Sequence, residues 1–243
     1  MVGPVPVSIS VAETSPLAAG MPHSLPLLES PTPCRNCHAG CCRSFVVPLT
    51  GHDIRRLTET SGRPLWEFAC RWEDDDSAIP EEFAPRLRFP DAPGRRFVIG
   101  LKHVPSEVFP SSDRCEFLIE TATGEPAGPI DEGVPGCVAR CAIHTGRPGV
   151  CRLFPLKLGM GSNHEQRELP RHGRESSEPA YRLCPRDWTT DELQAAHTAD
   201  LHDEVRGELL VWREVADLWN ESSLPAEHLE EFVDAIYSGL SRG

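Results

Sequence analysis

Apolar residues fall in short, broken runs over most of this chain and in long helical stripes near its end. Phe45-Val46-Val47 is a brief run suited to a strand. Thr50 follows as an N-cap with Asp53 in the first turn, which predicts a helix carrying Ile54 and Leu57 on its inner face and ending at Gly62. Pro64 opens a second helix bearing Leu65, Trp66, Phe68 and Ala69. Phe97–Leu101 and Cys115–Ile119 are the next strand candidates. Residues 80–94, with four prolines, and the polar residues 161–180 read as loop, while Thr123 to Gly136 is a Gly/Pro-rich, hairpin-like stretch. Thr189 and Glu192 fit a capping box. After them Leu201, Val205, Leu209, Trp212, Ala216 and Trp219 keep helical spacing. Pro225 starts a last helix with Leu229, Phe232, Val233, Ile236 and Leu240 on one stripe, a face for packing on the preceding helix.

These elements predict an α+β fold: a small loop-rich domain over residues 34–190 with a C-terminal helical pair over 191–243. Residues 1–33 hold seven prolines and no periodicity, the composition of a disordered leader. Apolar residues make up 39% of the 243 and aromatics 7%, a modest core for this length. Bound metal is therefore expected to supply part of the stability, because metal-binding free energy at such sites is also folding free energy.

The formal charge of −13, from 24 basic and 37 acidic residues, repels phosphate backbones and anionic lipid surfaces. Nucleic-acid and membrane partners are not expected, and no apolar run reaches the ~18 residues a membrane span needs. Met1 to Gly20 lacks Lys and Arg and is broken by three prolines, so no signal peptide is legible. A cytoplasmic chain with reduced thiols is expected.

The thiols carry the chemistry. Cys34-Arg-Asn-Cys37-His-Ala-Gly-Cys41-Cys42 packs four of the ten cysteines into nine residues. Thiolates so crowded repel one another unless a cation or cluster neutralises them, which is a metal-ligand signature. A wider group follows: Cys115, Cys137, Cys141, Cys151 and Cys184. Zinc commonly takes two Cys-x2-Cys knuckles; one such knuckle, an adjacent pair and scattered single cysteines are more typical of iron–sulfur ligation. An iron–sulfur cluster is thus favoured, with zinc the alternative. Cys41 and Cys42, read as extended chain, point to opposite faces and serve different sites. His144, at Cys-x2-His spacing from Cys141, suits a zinc ligand, although a surface or supporting role is expected.

The segment Cys141-Ala-Ile-His144-Thr-Gly-Arg147-Pro148-Gly-Val-Cys151-Arg152-Leu-Phe154-Pro155, following the first cysteine group in order, resembles the YkgJ-type or CxxCxxCC family of zinc- or iron-chelating domains over roughly residues 34–185. The resemblance implies eight ligand cysteines: Cys34, Cys37, Cys41, Cys42, Cys115, Cys141, Cys151 and Cys184. Cys70 and Cys137 are extras. Cys70 reads as an inert thiol on the second helix, whereas Cys137 stays open as a substitute ligand. Arg147 and Arg152 are candidate cofactor-binding residues, since a guanidinium beside a thiolate lowers its pKa and offsets the charge of a Cys-ligated centre. The competing role is a plain ion pair with a carboxylate, expected above all for Arg147.

No nucleophile elbow, phosphate loop or dinucleotide fingerprint is legible, so catalytic residues are unassigned and enzymatic activity is left open. The first reading is a metal-binding protein holding an iron–sulfur cluster or zinc, with a redox role and a protein or redox partner. The alternatives are an enzyme, since the flagellin lysine N-methylases are similar in their clustered cysteines, and a non-catalytic zinc-stapled interaction module.

Overall fold

The most continuously apolar strand candidate lies deepest in the computed structural model, which describes residues 39–74, 81, 84–126, 135–154 and 199–240. Ala69–Glu73 (β1) and Phe97–Leu101 (β2) pair antiparallel, with Cys70 opposite Gly100. Every residue of β2 is buried. Along its other edge, Leu49 N–H donates to Ile99 O (2.9 Å) and Leu101 N–H to Val47 O (3.0 Å). Phe45 to Val47 thus forms no strand of its own; the chain meets β2 through one bridge at Pro48 and Gly100. Gly100 is required there. A Cβ would stand 2.8 Å from Trp72 Cδ1 and 2.9 Å from Val46 Cγ1.

Two further hairpins complete the β structure. His103–Pro105 (β3) pairs with Asp113–Cys115 (β4), and Leu118–Pro126 (β5) with Pro135–Cys141 (β6). The expected strand Cys115–Ile119 is therefore broken at Glu116 and Phe117. Phe117 turns into the core against Phe68, ring centroids 6.0 Å apart, and Arg114 Nη1 spans the turn by donating to Leu118 O at 2.6 Å. The hairpin expected over Thr123 to Gly136 appears as the paired ends of β5 and β6, where Pro126 faces Pro135.

Cys41–Ser44 (α1) is a single helical turn. Gly51–Ser61 (α2) begins and ends as its sequence predicts. Thr50 Oγ1 accepts the Asp53 N–H (3.1 Å), Asp53 Oδ2 accepts the Thr50 N–H (3.2 Å), and Gly62 closes the helix in the left-handed region at φ 66°. The second helix is shorter than expected, Leu65–Phe68 (α3). Ala69 and Cys70 belong to β1, because pairing with a buried strand outweighs one more helical turn; local propensity is routinely overridden by such contacts.

Gly149–Leu153 (α4) carries Cys151. Ala199–Ser222 (α5) buries Val205, Leu209, Trp212, Ala216 and Trp219, as their spacing predicts. Leu229–Leu240 (α6) buries Leu229, Val233 and Tyr237, while Leu240 is 61% exposed. The stripe ends on Tyr237 rather than Leu240. Both helices pack against α2 as well as each other. Trp212 and Trp219 share one core with Phe89, Phe97 and Leu101, and a smaller cluster of Leu153, Val205 and Leu209 joins α4 to α5.

The architecture is thus helices with small antiparallel sheets, a mixed α+β fold. Among the described residues no helix is long and apolar enough to cross a membrane. The Pro-rich leader, Cys34, Cys37, Cys184, Pro155, the loop 161–180 and the Thr189–Glu192 capping box lie outside the described residues.

Candidate functional site

Five of the eight candidate ligand cysteines are described, and four separate pieces of chain carry them. Cys41 and Cys42 sit in α1, Cys115 ends β4, Cys141 ends β6, and Cys151 lies in α4. The β5–β6 register sets Cys141 opposite Leu118, just beyond the turn that follows Cys115, and α1 packs on β4. The five sulfurs are close enough to act on one another's charge. Cys151 feels Cys115, Cys41 and Cys141, and Cys42 feels Cys41, Cys151 and Cys115.

The adjacent pair behaves differently from its expectation as extended chain. Because α1 is helical, Cys41 and Cys42 do not point to opposite faces, and their sulfurs stand 3.9 Å apart. Ala39, in the left-handed region at φ 57°, turns the chain into this helix. That conformation costs an alanine roughly 1–2 kcal/mol.

One buried carboxylate fastens two of the cysteine-bearing segments together. Glu120, with 2% of its side chain exposed, pairs with Arg43, the neighbour of Cys42, and with Arg114, the neighbour of Cys115, the latter at 3.1 Å. Ser106 Oγ (2.8 Å) and the Glu107 N–H (3.0 Å) donate to the same carboxylate. Burial alone would raise the Glu120 pKa. The hydrogen bonds from Ser106 and Arg43, the Glu107 N–H and Arg43's charge outweigh it and hold the group below 4.5.

A second buried carboxylate serves Cys151. Asp53 Oδ1 accepts the Gly149 N–H at 2.9 Å, at the start of α4, and Arg56 bridges Asp53 Oδ1 (2.5 Å) to the Arg147 carbonyl (2.8 Å). Gly149 also lies tight against α5, since a Cβ there would stand 3.0 Å from Val205 Cγ2. The Arg147-Pro148-Gly149-Val150-Cys151 motif is thereby anchored to α2 and α5.

The two candidate arginines divide their roles. Arg152 pairs with Glu204 of α5 (2.5 Å). Arg147, for which a carboxylate was expected, meets none among the described residues. Its Nε donates to His144 O (3.0 Å), and its charge favours the thiolate forms of Cys41, Cys141 and Cys151.

Only one of the five thiols is favoured as an anion. Cys41 is lowered by the hydrogen bond with Cys42, against burial, with help from the backbone N–H groups of Cys42 and Cys41 and from Arg147. Cys42 is raised by its bond with Cys41, in which either sulfur can be the donor, and by burial and the neighbouring sulfur charges. Burial pushes Cys115 up to about 12. It also raises Cys151 and Cys141, to which the nearby sulfurs add.

The other two described cysteines stand apart. Cys70 lies on β1, half-buried, its thiol raised by burial. Cys137 is buried on β6 opposite Ala122. It is four residues from Cys141 on an extended strand, about 13 Å along the chain. His144 is exposed.

The donor set is soft and thiol-rich, the chemistry that zinc and iron–sulfur clusters select, yet no three His, Cys, Asp or Glu among the described residues form a ready-made metal shell. Neither Glu120 nor Asp53 was assigned to the site from sequence, because each acts on a cysteine through an intervening residue. A signal was present: Arg43, Arg114, Arg140 and Arg152 each neighbour a candidate cysteine. Comparison with family models, curated proteins and solved structures finds no match to this chain.

Proposed function

We propose that the chain is a metal-binding protein whose clustered cysteines hold an iron–sulfur cluster in a redox role, or failing that zinc as a structural cross-link. The observation that carries this is the convergence of Cys41, Cys42, Cys115, Cys141 and Cys151 from four separate segments into one partly buried group, with Cys41 and Cys42 sulfurs 3.9 Å apart, α1 packed on β4 and the thiols acting on one another's charge. Five thiols in one partly buried place have little use as packing, since any two ionised together repel, and a cationic centre removes that repulsion. Cys34, Cys37 and Cys184 would join them if the YkgJ-type resemblance, which rests on its two motifs alone, extends to ligation. When bound, the centre supplies electron-transfer chemistry if it is a cluster, or structural cross-linking if it is zinc.

The protein's own groups prepare the place. Arg147 offsets the charge of a thiolate-ligated centre, Glu120 holds the Cys42 and Cys115 segments in register, and Asp53 holds the start of α4. The test is anaerobic purification with iron, zinc and acid-labile sulfide analysis beside an absorption spectrum. Iron with sulfide and a broad band near ~400 nm supports a cluster. A colourless protein with zinc supports the alternative, and a protein holding neither overturns the proposal.

A further inference from the structure

We infer that His103 supplies a nitrogen donor to the same centre, an inference that rests on the metal-binding reading above. In the β3–β4 register His103 lies directly opposite Cys115. Cross-strand partners share a face, with Cβ atoms about 4.5–5.5 Å apart. The ring is fixed on two sides. It is hydrogen-bonded to the backbone of Phe45, three residues beyond Cys42, and Trp72 meets it edge-on with centroids 5.6 Å apart. Its Nε2 is nevertheless enclosed, with no hydrogen-bond partner among the described residues.

A buried ring nitrogen left without a partner is costly to desolvate, and native structures usually give such an atom something to bind. The pattern is that of a metal-ligating histidine, which characteristically gives one ring nitrogen to a backbone carbonyl or carboxylate and so presents the other as a lone-pair donor. The histidine with the conventional spacing, His144, lacks these features. It is exposed, and the cation of Arg147 acts on it directly. The cross-strand position of His103 is invisible to spacing rules, because twelve residues separate it from Cys115 while the hairpin brings the two together. Nitrogen ligation also has a chemical consequence: histidine in place of cysteine raises the potential of an iron–sulfur centre.

The test is pulsed electron paramagnetic resonance on the anaerobically purified full chain, with histidine alone carrying 15N. The sample is the reduced cluster form or, where the chain holds zinc, the protein after exchange of zinc for cobalt(II). The wild type and His144→Gln should show the hyperfine coupling of a directly bound imidazole nitrogen, and His103→Gln and His103→Leu should both lose it. Metal-loaded wild type without that coupling overturns the assignment of His103 and leaves the thiol centre standing. Coupling that survives in either His103 variant assigns another histidine and overturns it equally. A wild type that binds no iron, zinc or cobalt removes both readings together.

Discussion

Cys41 and Cys42 are neighbours that share one bond between sulfurs 3.9 Å apart, in which either can be the donor, so ionising one favours the proton on the other. With Cys42, Cys115, Cys141 and Cys151 all raised, the metal-free site is largely protonated at neutral pH. Ligation requires thiolates, so metal must displace protons. Uptake of zinc or cobalt(II) by the metal-free protein should release at least about two protons per centre, and affinity should fall as pH is lowered. Titration calorimetry in two buffers of different ionisation enthalpy measures this, and pH-independent uptake without proton release would contradict it. Substitution tests which thiols are ligands of the proposed centre. In the proposed centre Cys151→Ser replaces a soft ligand by a harder oxygen that binds iron or zinc poorly, so bound metal should fall markedly, whereas Cys70→Ser should leave metal content intact. Equal loss in both variants would show that the division is wrong. The candidate cysteines could be read from sequence because their spacing is local. Glu120 could not, because its partner Arg43 stands 77 residues away.

The elements around the site are held by contacts of two kinds, ionic clasps and close backbone approaches. Glu120 joins α1, β4 and β5. As a carboxylate whose folded pKa lies below its ordinary value of 4.5, it contributes stability above that pH and loses it as pH falls through 4.5 and then through the lowered value. Glu120→Gln should therefore cost roughly 3 kcal/mol at neutral pH, the scale of a broken buried ion pair. It should also flatten the acid limb of stability below about pH 5. Urea unfolding at pH 7 and pH 4 reads both effects. Close approach is tested at α2, where a Cβ on Gly51 would run into the Tyr237 ring, while one on Gly207 in α5 meets nothing within 4 Å. Gly51→Ala should destabilise by about 1–3 kcal/mol through overpacking, and Gly207→Ala should be neutral or stabilising by up to ~1 kcal/mol. Thermal unfolding that moves both in the same downward direction would contradict the packing of α6 on α2. The ends of α2 were legible because Thr50, Asp53 and Gly62 act within their own helix. The switch from α3 to β1 was not, since it depends on pairing with β2 some thirty residues on.

Across the molecule, the thiol region and the helical core differ in what they depend on. Trp212, Trp219, Leu229 and Val233 pack with Phe89, Phe97 and Leu101 in one apolar core, of which Cys115 is a member and against which Cys42, Cys141 and Cys151 pack. The cysteine-bearing segments lean in addition on Glu120, Asp53 and, in the proposed state, the bound centre. Chelation should therefore raise hydrogen exchange in residues 39–44 and 135–154 and leave residues 209–219 and 229–237 protected. Uniform loss of protection would mean that the metal holds the whole fold. Sequence spoke for the α5 stripe because helical spacing is repetitive, but it was silent on how that stripe joins the β2 core, which is a matter of distant contacts. The central claim is that the converging thiols bind a metal, and the most direct measurement is X-ray absorption at the metal edge of the anaerobically purified chain. The account predicts sulfur scatterers at ~2.3 Å as the main shell; a shell of oxygen and nitrogen alone, or no bound metal at all, would contradict it.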